Sequence, residues 1–378
     1  KLPARRPAPF RVVTPREIAS AATATSTKAE QSGILRMSKT RILVLVRDGH
    51  VPPPSLEGIP NEAMYAWKAE FDVCETLRRL GHEVLPLGVY DDLAPIRNAI
   101  QEFKPDITFM MLEEFHGVVT YDFAVISYLE LMQQAYTGCN PRGLLLSKDK
   151  ALSKKVLTYH RIPTPRFAVF PLGRAVRRPK KLSFPLFVKS VVEDASFGIS
   201  QASIVHNDEA LAERVRFIHE KTNDRAIAEQ YIEGREIYVG VLGNTRLKTF
   251  PAWEMNFGTL PPEVARIATS RVKWDRGYQK KHDITTHAAK DLDQAMQEKI
   301  SKVCKRVYRA LSLSGYARMD LRLTDSGEIY VIEANANPNI EFGEDFAESA
   351  ESIGVSYEAL MQRIINLGLN YKAAWMNV

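Results

Sequence analysis

Near its carboxyl end the chain reads GYARMDLRLTDSGEIYVIEANANPN, which sets Asp320, Glu333 and Asn335 on two strands joined by a turn. Alternation along the first strand turns Met319, Leu321 and Leu323 to one face and Arg318, Asp320 and Arg322 to the other. With Ser326 and Gly327 as a two-residue turn, Asp320 faces Glu333 directly, and Asn335 returns to the same face two residues on. Like charges opposed across a ladder are unfavourable unless something neutralises them. Two carboxylates and an amide form an all-oxygen set, the kind taken by a hard divalent cation such as Mg²⁺. A solvated hairpin face would carry the same charges, so the rest of the chain must decide.

Four upstream stretches carry matching chemistry. SKDKALSKK places Lys150 near a helix start, and FPLFVKSVVEDASFGIS sets Lys189 near the end of an apolar strand. A lone ammonium is out of place there unless it meets an anion. The segment that follows, with Ser196 and Gly198, is small enough for backbone N–H groups to close over phosphates. AIAEQYIEGREIYV ends a strand in Glu229, Gln230, Tyr231 and Ile232, groups suited to a purine edge, with Glu236 beyond at ribose distance. RVKWDRGYQKK carries Lys273 in a long polar segment. Singly, Lys150 and Lys273 read as surface lysines and Glu236 as a solvated strand charge. Together these stretches supply a phosphate clamp, an adenine hinge and a metal cradle.

The elements that must position these groups fall into three rhythms. From about 40 to 145, strand and helix alternate: RILVLV, a helix capped by Asn61 and running through 63–80 to Gly81, HEVLPLGV, a helix near 93–103, PDITFMML, and a helix ending near LELM. That order predicts a parallel sheet covered by helices, with ligands beyond the carboxyl ends of the strands. Those ends are the loops RDGHVPPPSLEGIP and EEFHGVVTYD. From about 146 to 225, Ser147 caps a short helix with Leu152, Val156 and Tyr159 on one face. FPLFVKS and SQASIV read as strands, and a helix covers 208–221. From 226 the chain turns strand-rich; a polar segment at 257–290 precedes a helix at about 291–314, the hairpin, and a last helix carrying Tyr357, Leu360, Ile364 and Leu367. The domains predicted are a disordered leader at 1–37, an N-terminal parallel-sheet domain at 38–145, a central domain at 146–225 and a C-terminal domain at 226–378.

Composition narrows the class. The chain has 378 residues and a net charge of +6. Seven basic residues among the first 36, from Lys1 to Arg36, stand against only Glu17 and Glu30. The remainder is therefore nearly neutral, which argues against a nucleic-acid footprint on a folded face. The leader itself reads as an upstream extension or, less readily, as an organellar transit peptide. No apolar run is long enough to span a bilayer. Cys74, Cys139 and Cys304 are too scattered for a disulfide framework, so a cytoplasmic location is expected. The histidines show no metal-ligand spacing.

Taken together, YTGCN, DKALSKK, FPLFVK with SFGIS, AEQYIEGREIYV, VKW and the final Arg-x-Asp and Glu-x-Asn pair resemble the ATP-grasp superfamily, in its D-alanine–D-alanine ligase-like branch. The match is close from about 130 to 340 and holds in outline from 40 to 130. It implies an α/β (α+β) fold, a Rossmann-like N-terminal domain followed by a two-domain ATP-grasp module with ATP between its halves. Residue by residue, it implies that Lys150 and Lys189 hold the α- and β-phosphates, with Ser196 in the closing loop. Glu229, Gln230, Ile232 and Glu236 would hold adenine and ribose. Asp320, Glu333 and Asn335 would bind two Mg²⁺ ions, which Mn²⁺ could replace. Lys273 would reach the γ-phosphate, with Trp274 where the family often has a tyrosine, and Arg318 would stabilise charge on the transferred phosphoryl group. The implied activity is ATP-dependent ligation of a small-molecule carboxylate to an amine through an acyl phosphate, in a chain that can form a homodimer. A small-molecule kinase or a silent nucleotide-binding protein would use nearly the same ATP site.

The resemblance weakens at both substrate ends. Glu113, Glu114 and Phe115 intervene before His116 and Gly117, where the family's His-Gly pair follows its strand closely. The loop after Asn335 reads ANPNIEFGEDF, with Glu341, Glu344 and Asp345 where the family offers Gly and Ser to an acceptor carboxylate. Acids there would repel a carboxylate, so substrates other than two D-alanines are expected, with a basic amine as one candidate; a solvated acidic face reads equally well.

Overall fold

The computed structural model describes residues 39–60, 64–193, 198–261 and 263–377. The leader, the Asn61 cap and Ser196 lie outside the described residues.

Three sheets follow one another along the chain. The first is parallel, in order β2-β1-β3, from β1 (Arg41–Arg47), β2 (Glu83–Val89) and β3 (Ile107–Met110). Ile42 to Val46 are wholly buried, which is why this β-branched run does not alternate. Helices α1 (Lys68–Arg79), α2 (Ala94–Phe103) and α3 (Asp122–Leu131) alternate with these strands. Helix α1 starts later than its apolar spacing predicts: Trp67 precedes it at φ −140° and makes no side-chain cap.

The next segment corrects one expectation. Residues around Ser147 are already helical, as α4 (Pro141–Lys148), capped by Asn140 with proline in its first turn. Helix α5 (Lys150–Tyr159) is capped instead by Asp149, whose carboxylate accepts from Leu152 N at 2.7 Å. The second sheet, in order β4-β7-β5-β6, joins β4 (Phe167–Phe170), β5 (Leu186–Ser190), β6 (Ile204–Val205) and β7 (Ala226–Gln230). The strand expected across SQASIV shrinks to its last two residues, because Gln201–Ser203 form a 3₁₀ turn. Helix α6 (Asp208–Thr222) buries Leu211, Val215 and Ile218 against this sheet.

The third sheet holds β8 (Arg235–Leu242), β9 (Lys248–Thr249), β10 (Trp253–Asn256), β11 (Thr285–Ala288), β12 (Tyr316–Leu323) and β13 (Ile329–Asn335). Its order is β11-β10-β8-β12-β13, with β9 also on β8. The polar segment 257–290 is partly structured, with short helices α7 (Ser270–Trp274) and α8 (Arg276–His282) before β11. Helix α9 (Gln294–Ala310) buries Ile300, Cys304 and Val307, and α10 (Asp345–Glu351) and α11 (Tyr357–Leu369) complete the chain.

The hairpin reaches its expected pairing by an unexpected route. Its loop is three residues, Asp325 to Gly327, not two: Leu323 pairs with Ile329, and Thr324 N donates to Glu328 O. Continued without interruption, that register would set Ile332 opposite Asp320. A β-bulge between Val331 and Glu333 absorbs the extra residue, so that Asp320 pairs with Glu333 and Arg318 with Asn335.

Candidate active site

Eleven of the described residues singled out by chemistry line one cleft: Lys150, Lys189, Glu229, Gln230, Ile232, Glu236, Lys273, Arg318, Asp320, Glu333 and Asn335; Gly198 is not among its lining. The cleft encloses about 920 Å³ between protein atoms, part of it open solvent. Strands β5 and β7 and helix α5 form one wall, and β8, β12 and β13 the other. Tyr231, read from the sequence as part of the hinge, lines it too, and Pro165, Phe187, Ile199, Ile267, Leu321 and Ile332 supply apolar lining that the charge pattern did not reveal.

The lysines are not surface lysines. Lys150 is 4% exposed; its Nζ donates to Glu193 O at 2.9 Å and lies 3.1 Å from Glu333 Oε1. Lys189 is equally buried, 3.3 Å from Glu229 Oε1. A third lysine, Lys154, is 1% exposed and sits 3.3 Å from Glu229 Oε2. Glu229 thus lies between two ammonium groups. Desolvation opposes its ionisation, and Lys154 and Lys189 outweigh it, holding its pKa below the ordinary value. Burial pulls Lys154 down to about 8, which leaves it protonated at neutral pH. Removing Glu229 would cost on the order of 3–5 kcal/mol, because two buried ammonium groups would lose the carboxylate between them. Lys154 follows Lys150 by one helical turn, the only sign in the sequence that both share a face.

At the hinge, Gln230 N and Tyr231 N donate to Arg166 O and Pro185 O. Glu236 accepts from Tyr238 Oη at 2.8 Å and Arg322 Nη2 at 2.7 Å. Arg322 also donates to Gly234 O and Arg266 O, tying the hinge to the segment before Lys273.

At the other end Arg318 grips Asp320 through Nε and Nη2 at 2.8 and 2.9 Å, and Asp345 through Nη1 at 3.0 Å. Asn335 Oδ1 accepts from Asn337 N and keeps a second lone pair. The donor set of Asp320, Glu333 and Asn335 therefore fits a hard divalent cation. Past Arg318, Glu341 pairs with Lys68 at 3.1 Å, and His50 pairs with Glu70 at 3.1 Å. Trp274 is largely exposed. His116, at φ +55°, stacks on Tyr90 away from the cleft.

Comparison with known proteins agrees with this geometry. The family described as D-ala D-ala ligase C-terminus matches residues 157–366, more than half of the chain. The chain belongs to this family. It is an ATP-grasp ligase, an ADP-forming enzyme that joins a carboxylate to an amine at the expense of ATP. The D-alanine–D-alanine ligase of Desulforudis audaxviator is 28% identical over 318 residues, covering 82% of this chain and 95% of that one. The Bordetella avium ligase of the same name is 30% identical over 255 residues, covering 66% and 75%. In fold, the chain is similar to the Bacillus anthracis D-alanine–D-alanine ligase complexed with ATP. That structure gives a TM-score of 0.67 at 23% identity, covering 87% of this chain and 97% of that one. No helix among the described residues is long and apolar enough to cross a membrane.

Proposed function

We propose that this ligase activates a small-molecule carboxylate as an acyl phosphate and passes the acyl group to an amine that brings positive charge rather than a free carboxylate. The observation that carries the second half is the 3.0 Å contact between Asp345 and Arg318. The guanidinium beside the metal cradle is already matched by two carboxylates of its own chain, and Glu341 and Glu344 stand in the same loop.

Lys150 and Lys189 hold the α- and β-phosphates, and the 230–232 backbone meets the adenine edge. Glu236 meets the ribose, and Glu229 orients Lys189. Asp320, Glu333 and Asn335 would hold Mg²⁺, which would neutralise charge on the phosphates when bound. Lys150 must then share Glu333 with the metal. A carboxylate oxygen of the donor attacks the γ-phosphorus, the bond to the β-phosphate oxygen breaks, and ADP leaves. Lys273 and Arg318 offset the charge as donor and polyphosphate approach, which is mostly positioning and electrostatics. The amine then attacks the acyl carbon, inorganic phosphate departs, and the ammonium proton is lost to solvent.

The test is phosphate and ADP release across a panel of carboxylates paired with mono-, di- and polyamines and with amino acids. Free phosphate stoichiometric with ADP, and turnover preferring amines without a carboxylate, is expected. Turnover supported by D-alanine alone would overturn the acceptor assignment. Phosphate retained on an organic product would replace ligation by phosphoryl transfer.

A further inference from the structure

We propose that Lys154 is a positioning residue that holds the Ile332 bulge and thereby turns Glu333 and Asn335 into the cleft, coupling the hinge wall to the metal cradle. This rests on the reading of Glu333 and Asn335 as metal ligands.

The bulge decides which face the strand shows. Near the loop, Ile329 and Val331 oppose Leu323 and Leu321 on the core face. In an unbroken ladder Ile332 and Ala334 would share the face of Asp320 and Arg318, and Glu333 and Asn335 would point into the core with Met319. One inserted residue reverses this. Ile332 and Glu333 both line the cleft, while Ala334 is buried opposite Met319.

A bulge leaves backbone groups outside the ladder, and buried ones must find partners. The Ile332 carbonyl accepts from Lys154 Nζ at 2.9 Å. The same ammonium donates to Thr164 Oγ1 at 3.1 Å, and Thr164 donates on to Val331 O at 3.0 Å. Val331 N donates to Pro163 O at 2.9 Å. The third direction of the ammonium faces Glu229 on β7, in the other sheet. An ammonium has three N–H groups, and here the three partners are the bulge, the 163–164 segment and the acid that also faces Lys189. A core lysine needed only for stability has no reason to bridge both walls at the one residue where the register changes.

The test compares wild type with Lys154→Met, of similar length, and Thr164→Val, which keeps the lysine and removes the hydroxyl that orients it. Three quantities are read: half-saturating Mg²⁺ for ADP formation, Mn²⁺ binding by electron paramagnetic resonance with a non-hydrolysable ATP analogue, and binding of a fluorescent ATP analogue in EDTA. Expected for Lys154→Met is at least a tenfold rise in half-saturating Mg²⁺ with a parallel loss of Mn²⁺ affinity, while metal-free nucleotide binding changes less than threefold. Thr164→Val should shift the metal constants the same way, about threefold, and it carries the test if Lys154→Met does not fold. Unchanged metal constants, or metal and metal-free binding weakened by one common factor, overturn the proposal. A wild-type protein that binds neither Mn²⁺ nor nucleotide sinks the functional reading instead. The role of Lys154 is then judged from a crystal structure of whichever variant folds: Glu333 still opposite Asp320 overturns it, and Glu333 turned away upholds it.

Discussion

Arg318 commits Nε, Nη1 and Nη2 to Asp320 and Asp345, so an incoming carboxylate would have to displace a neighbour already bound. Asp345→Asn keeps the size of the side chain and removes its charge. It should raise kcat/KM for acceptors bearing a carboxylate relative to simple amines by about tenfold, equivalent to about 1.4 kcal/mol. Competition between an amino acid and its decarboxylated amine, followed by mass spectrometry of the amide, measures this; an unchanged product ratio counts against Asp345 as the discriminator. Its neighbour Glu344 adds a pH dependence. Burial, then the charges of Glu341 and Asp345, push its carboxyl up from 4.5 to about 7. A pKa raised in the fold means that the native state keeps a proton the unfolded chain has lost. Its contribution to stability is therefore full below about pH 4.5 and disappears as pH rises through 7. The residue as a whole lies at the surface although protein crowds its carboxyl group, so water screens part of that effect. The ligand-binding consequence has the opposite sense, because ionised Glu344 attracts cations. A quaternary amine competitor, whose own charge is fixed, should bind more tightly as pH rises from 6 to 8, and Glu344→Gln should flatten that rise.

Among the elements, the connection between β7 and β8 tolerates no side chain at its turn. Gly234 has φ +146°, and a Cβ there would run into the Leu323 carbonyl oxygen on β12. Gly234→Ala should cost about 2–3 kcal/mol from a backbone that L side chains rarely adopt. That would lower Tm by roughly 4–6 °C and weaken nucleotide binding, since Ile232 and Glu236 flank the turn. A thermal melt within 1 °C of wild type would remove strain from the explanation. The same hairpin shows what a sequence discloses. The opposition of Asp320 and Glu333 was legible; the way it is reached was not. A two-residue turn without a bulge and a three-residue turn with one place the same number of residues between those acids. Only tertiary partners choose between them, and Lys154 lies 178 residues from Ile332. For the same reason Lys154 itself was hidden: on a helix, KALSKK looks like a solvated face. The missed helix α4 is a different case. Asn140 followed by Pro141 is a helix-start signal written in the local sequence. The eleven cleft residues were legible because each needs a charge or a hinge where packing would prefer neither. The apolar lining was not, since Phe187 or Leu321 looks the same in a core as against a base.

Across the whole molecule, the chemistry requires that water be kept from an acyl phosphate while an amine is admitted. The loop after β5 and the polar segment 257–290 can serve as that cover, and hydrogen bonds between Gln201 and Ala265 join them. Gln201 Nε2 donates to Ala265 O at 3.0 Å, and Ala265 N donates to Gln201 Oε1 at 3.0 Å. A side-chain amide thus pairs with backbone as a strand would, joining the loop after β5 to the segment that carries Lys273. From the other side, Arg276 on α8 lies 4.1 Å from the Tyr65 ring centroid. Both contacts are exposed, so each contributes about 1 kcal/mol or less and can open on the timescale of turnover. Gln201→Ala removes the reciprocal pair without touching a phosphate or metal group. The step that forms the acyl phosphate should proceed at close to the wild-type rate, because the lysines and the metal cradle stay in place. Retention of the intermediate should suffer, since hydrolysis competes whenever the cover opens. The expected outcome is uncoupling: ADP formed per amide rises from near one to several, with ADP formation itself changed less than about threefold. Measuring both products in one reaction separates this from simple loss of activity. If ADP and amide fall together in Gln201→Ala, the clasp positions Lys273 for phosphoryl transfer and excluding water is the task of another part of the cover.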